Sequence, residues 1–175
     1  DASKSSLKTP THFAQYVART FGSIDTLINL ISLTREECIG KKGIHEIEDL
    51  VVSKFSAPRE ITEVTANRMA LTWSEGMILN VFAMFTPQTA EEAAIAGLMR
   101  STLAAMTRDQ ANRWADSAVR INAIGPKATS FDTMSGACLT SEADLATLAL
   151  YLASHKGRNL TGHIFDAEGI ARRQC

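Results

Sequence analysis

Apolar positions along the chain alternate between a spacing of three to four and short, nearly unbroken runs. Thr9 can cap a helix, Pro10 suits its first turn, and Phe13, Val17 and Phe21 recur on one face up to Gly22. Leu27-Ile28-Asn29-Leu30-Ile31 then reads as a short buried strand. Residues 46–73 predict a helix with Leu50, Val51, Phe55, Ile61 and Val64 on its buried side. Pro58 is expected to kink it, because proline removes a donor and crowds the preceding turn. Met77 to Phe82, after Gly76, predicts a second buried strand. Residues 90–114 predict a long helix carrying Ile95, Leu98, Met99, Leu103 and Met106. Val119 to Ile124, closed by Gly125-Pro126, is a third strand, and His163-Ile164-Phe165 a fourth, ending near Gly169. Between them Ser141 and Asp144 can open a helix bearing Leu145, Leu148, Ala149 and Leu152. Strands of this kind alternating with helices predict an α/β fold. Its expected form is one parallel sheet in chain order, with helices on both faces and right-handed crossovers. No repeat, low-complexity tract or composition break divides residues 1–175, so one domain is expected.

Charge and composition remove several partners. Eighteen Lys+Arg against nineteen Asp+Glu leave a net charge of −1, without the basic excess that a nucleic-acid binder uses. The longest apolar stretch, Leu27 to Leu33, is broken by Asn29 and Ser32 and falls far short of the roughly 20 residues that span a bilayer. Neither nucleic acid nor membrane is an expected partner. Cys38, Cys138 and Cys175 are too few and too scattered for a disulfide framework or a zinc site, which favours a reduced, cytoplasmic setting. Asn159-Leu160-Thr161 fits a glycosylation acceptor, but no secretory segment accompanies it. His12, His45, His155 and His163 show no metal-binding spacing, so no metal is expected. Adjacent Glu91 and Glu92 read as a solvated helix face rather than an acid/base pair. Glu36-Glu37 should disfavour a thiolate at Cys38.

Four segments, in order, resemble the short-chain dehydrogenase/reductase family, in particular its 3-oxoacyl-[acyl-carrier-protein] reductase-like members. Phe21 to Asn29 is similar to that family's FGxIDxLVN stretch, and Gly76 to Val81 to its GxIVNI strand. Val119 to Pro126 is similar to IRVNAIxPG. Tyr151 to Ser154, Leu160 to His163 and Asp166 to Gly169 are similar to the closing FLAS…TGxxxxVDGG. The resemblance implies a Rossmann-like sheet that lacks its first strands and is incomplete at the N-terminus. The glycine-rich turn that holds a dinucleotide pyrophosphate is absent from the sequence. Asp1 resembles the family's adenine-contacting aspartate. Asn29 and Ser32 fall where the family reads NNAG, and Pro126 falls in its PG; these four are the weak cofactor-binding candidates.

The family's chemistry needs a tyrosine, a lysine four residues on, a serine and an asparagine. No YxxxK occurs here, and neither Tyr16 nor Tyr151 lies between the second and third strands. Laid on the family pattern, Ala83 occupies the serine position, Gln88 the tyrosine, Glu92 the lysine and Lys54 the asparagine, so no catalytic residue is intact. Alanine has no hydroxyl, the glutamine amide does not yield a proton, and glutamate reverses the lysine's charge. The resemblance therefore implies a protein without oxidoreductase activity. It would be an assembly partner, a homo-oligomer or paired with an active relative through residues 46–73 and 90–114, or else a fragment of a larger reductase. No cofactor is expected in this chain, and NAD(P) only if upstream residues restore the missing turn. The alternatives are an active NAD(P)-dependent oxidoreductase with parts supplied upstream or by a partner, and a non-redox enzyme on the same scaffold. The apolar Phe82, Met84 and Phe85 around Ala83 count against the latter.

Overall fold

The computed structural model describes residues 9–22, 24–41, 43–72, 75–85, 87–125 and 142–166. Asp1, Pro126, Ser141, Cys138 and Cys175 lie outside them. The strands are β1 (Thr26–Leu33), β2 (Gly76–Met84), β3 (Val119–Gly125) and β4 (Ile164–Asp166). The helices are α1 (Pro10–Phe21), α2 (Arg35–Cys38), α3 (Ile44–Leu71), α4 (Ala90–Arg113) and α5 (Glu142–Ala153). All strand pairs are parallel and follow chain order, with Asn29 opposite Asn80 and Ser32 opposite Ala83. The predicted α/β architecture is what the chain adopts, with the short α2 as an addition.

Side chains alternate across the sheet, so each strand serves two layers. On one face Ile31, Leu33, Phe82 and Ala123 pack on Leu50 and Phe55 of α3 and on Ile95, Met99 and Leu103 of α4. The Phe55 and Phe82 rings stack with centroids 6.0 Å apart. Ile78 and Ile121 continue that layer against Ala66, Met69 and Ala111. On the other face Met77, Leu79 and Ile124 meet Leu152 of α5, flanked by Leu145, Leu148 and Ala149. Gly76 lets α3 approach closely, because a Cβ there would lie 2.3 Å from the Met69 sulfur.

The structure refines the sequence reading at four places. β1 is covered on its α3 side only; Ile28 and Leu30, on the other side, are 54% and 71% exposed. An unbroken apolar run marks a strand but not how many of its faces are covered. α3 runs 28 residues through Pro58 without interruption and is anchored on both sides of it by buried Leu50, Phe55, Thr62, Thr65, Ala66 and Met69. Leu98 turns outward at 43% exposure while Met99 is fully buried. The crossovers do not share one hand. The strands step in one direction, yet α3 and α4 cover one face and α5 the other. The β3–α5–β4 connection therefore has the hand opposite to the two before it, against the strong preference for uniformity.

Two glycines test the packing in opposite directions. A Cβ at Gly157 would lie 2.6 Å from the Leu152 carbonyl oxygen, a backbone atom at the end of α5. Gly157→Ala should lower stability by about 1–3 kcal/mol. Gly97, in mid-α4, has no atom within 4 Å of the same position, so Gly97→Ala should raise stability by about 0.4–1 kcal/mol. Urea unfolding followed by circular dichroism reads both, and equal signs would contradict this packing.

Candidate functional site

In an open parallel sheet, ligands bind outside the carboxyl ends of the strands. Here those ends meet the starts of α2 and α4. Both helices begin with a threonine followed three residues later by glutamate, the capping-box spacing. The Glu37 carboxylate accepts from the Thr34 N–H at 2.9 Å. At α4 the Thr89 hydroxyl accepts from the Glu92 N–H at 3.1 Å, and the Glu92 carboxylate accepts from the Gln88 N–H at 2.7 Å. Each helix start therefore has a side chain of its own first turn or cap on a backbone donor.

The same carboxylates also pair with cations. Lys54 Nζ donates to Glu37 Oε1, tying α3 to α2. Arg35 Nε donates to Glu92 Oε1 at 3.1 Å, tying α2 to α4, and its guanidinium lies 4.9 Å from the centre of the Phe85 ring. Two of the positions singled out in the sequence, Lys54 and Glu92, are thus brought to opposite sides of α2, each in an ion pair. Gln88 is exposed just before α4. Ala83 and Ser32 are cross-strand neighbours, exposed on the α5 side of the sheet, with Lys54 and Glu92 on helices of the other side. Asn29 points to the α3 side, where its amide donates to Asn80 Oδ1 at 2.8 Å and Thr62 Oγ1 at 3.1 Å. It is held within the core.

Cys38, the last residue of α2, is buried, and burial pushes its thiol up, with Glu92 and then Glu37 adding to the effect. The sequence pointed to an unreactive thiol through Glu36-Glu37; burial is the larger cause, and Glu92 stands in place of Glu36. The tyrosines lie elsewhere: Tyr16 is on α1, and Tyr151 is on the last turn of α5, beside the amino end of β3. Among the described residues no three His, Cys, Asp or Glu side chains group to hold a metal ion. No described helix is long and apolar enough to cross a membrane.

The starts of α2 and α4 do not suit a dinucleotide. Such a ligand brings a pyrophosphate to a helix N-terminus. The first turn of α2 carries Glu36 and Glu37, and that of α4 carries Glu91 and Glu92, so the partial positive charge of each terminus is already met. What sequence reading missed is α2 and its pairings. Thr34-Arg35-Glu36-Glu37 carried the signal in its spacing, whereas Arg35 with Glu92 spans 57 residues and no local pattern reveals it.

The family model described as enoyl-(acyl carrier protein) reductase matches residues 5–143. Solved structures match across about nine-tenths of the chain. The enoyl-(acyl-carrier-protein) reductase of Anaplasma phagocytophilum, solved with NAD, is 18% identical, with a TM-score of 0.67 over 91% of this chain and 68% of its own. A short chain dehydrogenase from Mycobacterium avium is 20% identical at TM-score 0.67, over 92% of this chain and 58% of its own. The NADH-dependent enoyl-[acyl-carrier-protein] reductase of Aquifex aeolicus is 16% identical at 0.65, over 91% and 69%. At these identities the likeness establishes the fold, and the chain spans about two thirds of their length. No curated protein matches it in sequence.

The Lys54–Glu37 pair makes a pH prediction. The Lys54 hydrogen bond, followed by the Thr34 N–H, holds the Glu37 carboxyl below its ordinary value. A depressed folded pKa contributes stability that is fully present above the unfolded value and is lost as pH falls through the folded one. Glu37 is 39% exposed, so the contribution is at most about 1 kcal/mol. Glu37→Gln should lose that stability at neutral pH and show a shallower acid limb. Urea midpoints at neutral pH and below the ordinary glutamate range check this; parallel limbs would place the pair's contribution at zero.

Proposed function

The chain belongs to the enoyl-(acyl carrier protein) reductase family of short-chain dehydrogenases/reductases, and from that membership we propose that it is a non-catalytic member acting through assembly. The observation that carries the proposal is the ionic closure at the carboxyl ends of β1 and β2. Lys54 and Glu92, at two of the family's chemistry positions, are bound to Glu37 and Arg35. A third, Ala83, has no proton or lone pair to offer. Neither tyrosine stands at this end of the sheet, and the starts of α2 and α4 carry their own carboxylates.

The outer sides of α3 and α4 support assembly with a second copy or with an active relative. Val52 on α3 is 61% exposed and Leu98 on α4 is 43% exposed. Paired helices of this kind offer a closed two-fold contact, the commonest symmetry among oligomers. A second reading, an NAD(P)-dependent oxidoreductase completed by upstream residues or a partner chain, draws on one feature. The outer edge of β1 is unpaired among the described strands, and Ile28 and Leu30 beside it are uncovered, so further strands could extend the sheet there.

Titration with NADH and NADPH, followed by nicotinamide fluorescence, separates the readings. The proposal expects no saturable binding; a micromolar dissociation constant would favour the second reading and overturn the first. Assembly is tested by sedimentation combined with circular dichroism. Leu98→Asp should dissociate the particle and leave it folded, while Met99→Asp should unfold it, because that side chain is fully buried. A folded wild-type monomer at high concentration would end the assembly proposal.

A further inference from the structure

A cleft of about 610 Å³ lies between α4 and residues 161–164, away from the carboxyl-end ion pairs. Its helical wall follows from spacing. Positions 100, 104, 108 and 112 fall on one side of α4, which puts Arg100, Ala104, Arg108 and Asn112 in a row. Arg100 and Arg108 are about 12 Å apart along the axis at 1.5 Å per residue. Ala104 lies between them, and Ala111 and Ala115 continue the lining, so small side chains leave the space and the guanidiniums bound it.

The opposite wall is held firmly by β3. Gly162 N–H donates to the Ile121 carbonyl at 2.8 Å, and Thr161 Oγ1 accepts from the Ile121 N–H at 3.1 Å. His163 N–H donates to Asn122 Oδ1 at 3.2 Å, and its ring stands on the α5 side beside Phe165, so Ile164 is the side chain that this strand turns toward α4. Gly162, at φ +75°, takes a conformation that side chains disfavour, and a Cβ there would sit 3.5 Å from that of Ala111.

The charges in this cleft are unequal. Arg100 is held by Asp166 of β4. Asp109, the nearest carboxylate in sequence to Arg108, pairs instead with Arg113, which also takes Glu63. No carboxylate among the described residues is in ion-pairing range of Arg108. An exposed guanidinium beside Asn112, over a floor of alanine and Ile164, combines several hydrogen-bond donors with apolar surface. A guanidinium fork matches the oxygens of a phosphate.

We propose that this cleft binds a small organic phosphomonoester, the phosphate on Arg108 with Asn112 and the organic part against the alanines. The assignment is independent of whether the chain transfers hydride or assembles. Phenyl phosphate is the probe, and inorganic phosphate separates an organic ester from the free anion. In two-dimensional NMR of the full chain, phenyl phosphate should shift the Gly162 and Ala111 amides saturably, and more tightly than inorganic phosphate does. Arg108→Gln should weaken binding about tenfold, the loss of one charge-assisted contact. Ala104→Leu should weaken it by filling the cleft with all charges kept, while Arg59→Gln, on α3, should leave it unchanged. Circular dichroism confirms that each variant is folded. An absent or non-saturable shift, an equal loss in Arg59→Gln, or tighter binding of inorganic phosphate would overturn the proposal.

Discussion

The second layer of this fold depends on the guanidinium of Arg120. It donates from one nitrogen to the Leu152 carbonyl at 2.6 Å and the Gly157 carbonyl at 2.9 Å, at the end of α5 and the turn after it. Helix ends leave carbonyls without intrahelical partners, and a cation there also meets the negative end of the helix dipole. Burial makes that charge costly and pulls the Arg120 pKa down; the carbonyls offset the cost. Two residues on, Asn122 donates to the Leu160 carbonyl at 2.8 Å and accepts from the His163 N–H. From one strand, Arg120 and Asn122 fix the end of α5, the following turn and the approach to β4.

That clamp also bears on the crossover of unusual hand. A β-α-β connection ordinarily follows the twist of the strands, and the opposite hand is seldom found. Here the return path is held by directional bonds to β3 as well as by contact between Leu152, Met77, Leu79 and Ile124. The short β4 pairs with β3 over three positions only, so the preceding turn has to deliver it in register. Gly157, pressed on the Leu152 backbone, and Gly162, at positive φ, make that turn possible.

Periodicity carried the architecture because burial in a parallel sheet imposes it. Each predicted strand exists, and the two long helices begin and end within a few residues of their expected limits. What periodicity does not carry is coverage. Leu30 and Ile31 are adjacent apolar residues, yet one is mostly exposed and the other buried, since that depends on which helices lie above each face. The motif Val119-Arg120-Ile121-Asn122 identified the strand, but its polar residues gave no sign of serving α5 and the 157–163 turn, 30 to 40 residues away in sequence. The candidate site was legible as a set of replaced residue types. Their pairings were not, because Glu37 with Lys54 and Arg35 with Glu92 join separate elements.

Those pairings give the carboxyl end of the sheet a different electrostatic role from a ligand site. A helix N-terminus attracts an anion because its first N–H groups lack partners. At α4, Thr89 and Glu92 supply partners from the chain itself, and at α2 Glu37 does so. Each of Glu37 and Glu92 then has its own cation, Lys54 and Arg35, which leaves Glu36 and Glu91 as the excess charge of the two first turns. An incoming diphosphate would meet two capped termini and four first-turn carboxylates, and would have to displace ion pairs to gain donors of its own. Exposed pairs contribute little stability singly, and these link α2, α3 and α4 around buried Cys38. The groups that close this end of the molecule are therefore the same groups that make the starts of α2 and α4 poor anion sites.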